Sequence, residues 1–287
     1  MQANSESHAV EVPGLSAPDI LVQVHIPKCA GTAVRVWLQE AAVEGAITGY
    51  RSLYPDFVFP ANARWPSSDD PRLAAVSTHN IRRFNPTVAG RSVHYFTILR
   101  DPRAQVLSAL RYVQQERQAF GVPPNVENSS REIAAWLLRE RYGEPFENAQ
   151  TNHIALYTWC DATRGRCIPE LYGSWSWDDQ SAYVRERLDL AKSLLESFIA
   201  VGTVERLHFT LEVLRRRAAV FGLNLLPVDR LTIANVTAVP EEDDISWIDT
   251  DPLGARLLES ISVDDELHAY AEQLLDEALG ESNSRAG

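Results

Sequence analysis

The chain predicts an α/β fold: a doubly wound, mostly parallel sheet flanked by helices, one domain with insertions. Three observations carry this expectation. Short apolar runs at 20–26, 73–77, 93–99 and 198–202 are bounded by turn residues, as buried strands are. Segments of helical period alternate with them, the pattern of parallel strands joined by crossover helices. At 287 residues, 45% apolar and 23% charged, the chain is long enough and ordinary enough in composition to bury a sizeable core.

Taken in order, Met1 to Pro18 lacks the basic, apolar and small-residue progression of a secretory signal and reads as a disordered leader. Ile20 to Ile26 is the first strand, closed by Pro27, and Thr32 to Val43 has helical character. Residues 49–72, rich in Pro, Asn, Ser and Asp, predict irregular structure. Leu73 to Ser77 is a second strand, and the β-prone run Val93 to Leu99 a third. It stops at Arg100-Asp101-Pro102, where proline in a first turn opens a helix to Arg117. Gly121 to Ser130 is a loop, and Arg131 to Tyr142 a helix ended by Gly143 and Pro145. Residues 160–180 hold two cysteines and two tryptophans among Gly and Pro breaks, and 157–180 reads as an insertion. Ser181 to Leu195 is an amphipathic helix, Phe198 to Gly202 a strand, and Glu205 to Phe221 a helix. A loop through Pro240 and the acidic run Glu241 to Asp244 leads to a terminal helix, Asp264 to Leu279, with 281–287 a disordered tail.

The formal net charge of −12 argues against a general nucleic-acid or polyanion surface, while leaving room for a local anion pocket. No window approaches the ~18 uninterrupted apolar residues of a membrane span, so no membrane partner is expected. Three cysteines, Cys29, Cys160 and Cys167, without a signal peptide fit a reducing, cytoplasmic compartment. Cys160 and Cys167 bracket Asp-Ala-Thr-Arg-Gly-Arg and are left open between a loop disulfide and the unpaired thiols that this compartment favours. None has companions at zinc spacing, and no metal is expected.

Only two of the 27 basic side chains are lysines, and Lys28 stands where the first strand turns into a helix: His25-Ile-Pro-Lys-Cys-Ala-Gly-Thr-Ala33. Gly31 is expected to let the backbone approach a ligand. The amides of Thr32 and Ala33, the Thr32 hydroxyl and the Lys28 ammonium then cradle a terminal phosphate at the helix N-terminus. The order differs from G-x-x-x-x-G-K-[ST], because the lysine precedes the glycine. A second unit, Phe96-Thr-Ile-Leu-Arg-Asp-Pro-Arg103, places Arg100 at the carboxyl end of a strand, with Ser108 two helical turns on. The guanidinium fork and the hydroxyl suit a second phosphate, so one ligand carrying two separated phosphates satisfies both units.

On these motifs the chain resembles the sulfotransferases related to the Golgi carbohydrate enzymes, including those acting at the 2-O and 6-O positions of heparan sulfate. His25 to Thr32 is similar to their 5′-phosphosulfate loop, with Cys29 where threonine is usual, and Phe96 to Pro102 with Ser108 is similar to their 3′-phosphate motif. Shorter matches follow at Asn148-Ala-Gln-Thr151, Val201-Gly-Thr-Val-Glu205 and His268-Ala-Tyr-Ala-Glu-Gln-Leu, so the resemblance spans residues 20–278. After the Gln-Thr pair, where these enzymes often have arginine, the chain has Asn152.

The resemblance implies a P-loop-like fold and transfer of sulfonate from 3′-phosphoadenosine 5′-phosphosulfate (PAPS) to a hydroxyl of a small-molecule or saccharide acceptor. Lys28 would be catalytic, with residues 28–33, Arg100 and Ser108 binding the donor. Oligomeric state is left open. His79, in Val76-Ser-Thr-His-Asn80, is the expected base. His25 is assigned to packing; His94, His153 and Glu205 are lesser candidates. Arg82 and Arg83 face solvent or an anionic acceptor; Trp175 and Trp177 pack the insertion or line the acceptor pocket. Two other function classes remain beside the transferase: a nucleotide kinase or NTPase, and a nucleotide-binding relative that has lost its base.

Overall fold

The computed structural model describes residues 19–53, 72–78, 87–88, 90–140, 148–155, 177–231 and 245–284. Its centre is β1 (Ile20–Val24), which pairs in parallel with β3 (Ala75–Thr78) on one side and β5 (Arg91–Leu99) on the other. β2 (Tyr50–Leu53) extends the sheet beyond β3, and β6 (Ala200–Thr203) lies beyond β5, again in parallel. A two-residue strand, β4 (Thr87–Val88), pairs antiparallel with the start of β5. The parallel strands therefore run in the order β2-β3-β1-β5-β6.

Alternation along the central strands explains the layers. Ile20, Val22 and Val24 face the same side as Tyr95 and Leu99, and are covered by Leu188, Ala191 and Leu195 of α5 (Trp177–Glu196) and by Leu267 and Ala271 of α9 (Ser262–Ser284). Leu21, Phe96 and Ile98 face the other side, against Val34, Trp37 and Leu38 of α1 (Gly31–Val43) and Leu211 and Leu214 of α6 (Leu207–Ala219). Strands buried on both faces show a continuous apolar run, which is why these segments lack a polar alternation. No helix among the described residues is long and apolar enough to cross a membrane.

A third apolar cluster joins α2 (Pro102–Gln115) and α3 (Ser130–Glu140) to α7 (Trp247–Thr250) and α8 (Pro252–Ser260). α7 and α8 correct the expectation of a loop leading straight to the last helix. Their signal was present in Asp251-Pro252: the Asp251 carboxylate accepts the Leu253 amide at 2.8 Å, as Asp101 accepts that of Ala104 at 2.8 Å to open α2. Trp247 then anchors the pair, its indole N–H donating to Ser130 Oγ at 3.1 Å.

Two further corrections concern boundaries. Residues 50–53 are a strand rather than irregular, because Gly49 O accepts the Ala74 and Ala75 amides at 2.9 and 3.0 Å and starts the ladder with β3. The last helix runs to Ser284, past both the expected end at Leu279 and the start of the expected tail. The leader, most of the 157–180 insertion, and Cys160, Cys167 and Trp175 lie outside the described residues.

Candidate functional site

Strand order locates the site before any side chain is considered. From β1 the chain crosses toward β2, whereas from β5 it crosses the opposite way to β6. The turns that follow β1 and β5 therefore diverge, leaving a crevice at the carboxyl ends of two adjacent strands, where open α/β sheets bind ligands. Lys28 lies on the first of these turns and Arg100 on the second.

The turn after β1 is built under strain. Lys28 and Ala30 both have left-handed backbone, with φ of 66° and 55°. For a residue with a Cβ this costs roughly 1 kcal/mol or more, which neighbouring structure has to offset. Ala30 is the N-cap of α1 and has no side chain that can cap it, so the first-turn amides of Gly31, Thr32 and Ala33 are available to an anion. Cys29 points inward: its Sγ is buried and sits 3.6 Å from Pro27 O and 3.7 Å from Gln150 Oε1. Burial pushes that thiol well above its usual range, so it is a structural and unreactive group.

Gly31 has a packing reason beside the ligand approach expected of it. A Cβ there would lie 1.6 Å from His25 Nε2 and 1.8 Å from its Cδ2. The glycine makes room for the buried His25 ring, which fills the space beneath the start of α1.

Across the crevice, Arg100 Nη1 donates to Lys28 O at 3.1 Å, tying the two turns together. Its Nε is buried with no acceptor among the described residues, a donor held in reserve at the crevice. Lys28 Nζ rests 4.4 Å from the centre of the Tyr112 ring on α2. Burial, and secondarily the Arg100 charge, lower the Lys28 pKa. Gln105, also on α2, donates to Pro27 O at 2.9 Å. Ser108 stands one turn from each, three residues after Gln105 and four before Tyr112, so the buried serine shares the helix stripe that faces the Lys28 turn.

Behind Arg100 stands a short helix, α4 (149–155). Asp264 accepts the Gln150 and Thr151 amides at 2.9 and 2.7 Å and so caps α4. Asn148, itself at φ 43°, accepts the Val263 and Asp264 amides at 2.9 and 3.2 Å and caps α9 in return. Burial pushes the Asp264 carboxyl up to about 6, against the amides that favour its charged form. A carboxyl raised in this way holds a proton in the folded state that the unfolded chain has lost above about pH 4. Folding stability is therefore expected to fall as pH rises from about 4 to about 6, and Asp264→Asn should remove that part of the slope. Denaturation midpoints of both proteins across this range provide the check; parallel pH profiles would refute it.

The other sequence candidates are scattered. His79, Arg82 and Arg83 lie outside the described residues; β3, which precedes His79, ends at Thr78, level with Val24 of β1. His94 lies toward the amino end of β5, paired with Leu21 and away from the crevice, bonded to Asp19 at 2.9 Å and stacked on Phe221. His153 is on α4, and Asn152 accepts from Arg187 of α5 at 2.8 Å, so an arginine reaches this position from another helix. Glu205 follows β6, one strand beyond Arg100; it accepts the Asp101 amide at 3.1 Å and pairs with His268 at 3.2 Å. Burial alone would raise its pKa, but the His268 and amide hydrogen bonds outweigh that and hold it below the usual range.

Sequence reasoning passed over Gln105, Tyr112 and Asp264 as site residues, and met Gln150 only within the Asn148-Ala-Gln-Thr151 match, without a role. The spacing 105-108-112 behind Arg100-Asp-Pro could have found the first two. Nothing local marks the contact between Gln150 and Asp264, which arises only through tertiary structure. Neither the protein-family models nor the curated proteins include a match to this chain, so the two-turn crevice is interpreted from its own geometry.

Proposed function

We propose that the chain is a PAPS-dependent sulfotransferase with a P-loop-like site, acting on a hydroxyl of a small-molecule or saccharide acceptor. The observation that carries this is the hydrogen bond from Arg100 Nη1 to Lys28 O, which holds two cationic turns against one crevice. A ligand with anionic groups at two separated positions matches them, as the donor's 5′-phosphosulfate and 3′-phosphate would. The α1 amides, Thr32 and Lys28 would take the phosphosulfate; Arg100, with its unpaired Nε, and Ser108 would take the 3′-phosphate.

In the transfer, the acceptor oxygen forms a bond to sulfur while the bond from sulfur to the 5′-phosphate oxygen breaks. The acceptor proton passes to a base, and 3′-phosphoadenosine 5′-phosphate (PAP) leaves. Little covalent work falls to the protein. Its part is positioning and stabilisation of charge on the equatorial and bridging oxygens, which a lysine at the helix N-terminus supplies. His79 is the proposed base.

Titration calorimetry with PAP and ATP tests the assignment. PAP is expected to bind at least about tenfold more tightly than ATP, a difference of about 1.4 kcal/mol. Tight ATP binding without PAP binding would instead favour a kinase or NTPase.

A further inference from the structure

We infer that Gln150 is a positioning residue, which fixes Arg100 against the Lys28 turn; this rests on the two-anion assignment of the crevice. Arg100 lies one residue past the last paired position of β5, Leu99↔Thr203, so its own peptide groups fall outside the strand ladder. Gln150 replaces the missing neighbour. Its Oε1 accepts the Arg100 amide at 2.9 Å, and its Nε2 donates to the Arg100 carbonyl at 2.6 Å. The same Oε1 is 3.7 Å from Cys29 Sγ, inside the Lys28 turn. One fully buried carboxamide thus touches both anion-binding units.

The residue type is dictated by this geometry. The site needs an acceptor and a donor side by side on one planar group. Glutamate keeps the acceptor but sets a second oxygen against the Arg100 carbonyl; methionine keeps the volume and loses both hydrogen bonds. Gln150 is itself held from behind. Asp264 takes its backbone amide, Asn148 returns the favour to α9, and the Asn148 amide donates to Ser260 O at 2.9 Å. The exchanged caps make α4 a strut between α9 and the crevice, so a displacement at Gln150 is passed to the guanidinium rather than absorbed by a loose loop.

PAP, with two phosphates, and adenosine 5′-phosphate, with one, separate positioning from general support. The wild type should favour PAP by about thirtyfold, the size of a charge-assisted hydrogen-bond pair. In Gln150→Met that preference should fall to about threefold or less, while adenosine 5′-phosphate affinity changes little. Gln150→Glu, which retains the Arg100 amide contact, should fall between the two and serves if the methionine variant does not fold. A preference unchanged in either folded variant would overturn the inference, as would an equal loss of both affinities, which marks a merely structural role. Should the wild type bind neither nucleotide, the transferase assignment falls, and amide hydrogen exchange decides the positioning role. Exchange about tenfold faster at Arg100 and in the Lys28 turn of Gln150→Met supports it, and unchanged exchange there overturns it.

Discussion

Gly31→Ala is expected to destabilise the protein by about 3 kcal/mol, the upper end for overpacking a core. The added methyl would overlap three atoms of the His25 ring, the farthest at 2.2 Å. Relief is blocked on both sides: His25 is only 4% exposed, and Gly31 is fixed as the first residue of α1. In a chain of this length the loss corresponds to a drop in melting temperature of roughly 5 °C. Removing the ring as well, in Gly31→Ala/His25→Ala, should recover much of that loss relative to His25→Ala alone. The coupling between the two sites should reach about 2 kcal/mol, because the clash exists only when both groups are present. Thermal denaturation of the four proteins measures it. A melting temperature for Gly31→Ala within a degree or two of wild type would show that the glycine is not there for the ring.

The second large effect concerns turnover. Lys28→Gly should lower it by at least about a hundredfold, the scale expected for loss of a preorganised electrostatic group. Stability should change by less than about 1 kcal/mol. Glycine relieves the left-handed strain at φ 66°, worth roughly 1 kcal/mol, and forfeits the Tyr112 contact, worth a similar amount at a half-buried site. Lys28→Arg is the sharper variant. It keeps the positive charge and the contact with Tyr112, so PAP affinity should stay within about tenfold. Turnover should still be largely lost, because a broad planar guanidinium does not replace a compact ammonium. Labelled-PAPS assays, run beside calorimetry on the same samples, separate the outcomes. Normal turnover by Lys28→Arg would mean that any cation suffices there.

Lys28 is one of only two lysines among 27 basic side chains, and its left-handed backbone sets it further apart. We propose that a residue held in this costly conformation, beside an uncapped helix terminus, is placed for a ligand. His25 and Gly31 belong to the fold. Their neighbours Lys28 and Thr32, with Arg100 from the facing turn, are proposed to belong to the reaction, so residues of both kinds are interleaved in the turn after β1.

Much of this was written locally. The runs Ile20 to Ile26 and Val93 to Leu99, the Asp101-Pro102 helix start, and the lysine in a strand-to-helix turn are each encoded within about ten residues, where burial pattern and capping leave little choice. Residues 50–53 escaped because an edge strand takes its order from the neighbouring ladder and needs no apolar run of its own. α7 and α8 escaped although Asp251-Pro252 repeats the signal of Asp101-Pro102. By itself, then, the sequence determined the α/β class, most of the central elements and the two turns that carry Lys28 and Arg100. Tertiary structure alone decided that those turns meet, that His25 occupies the space Gly31 leaves, and that Gln150 and Asp264 brace Arg100 from 50 and more residues away. The reason is physical: turn and capping preferences act between adjacent residues, whereas contacts across a sheet depend on the order in which strands pair, and only the folded chain sets that order.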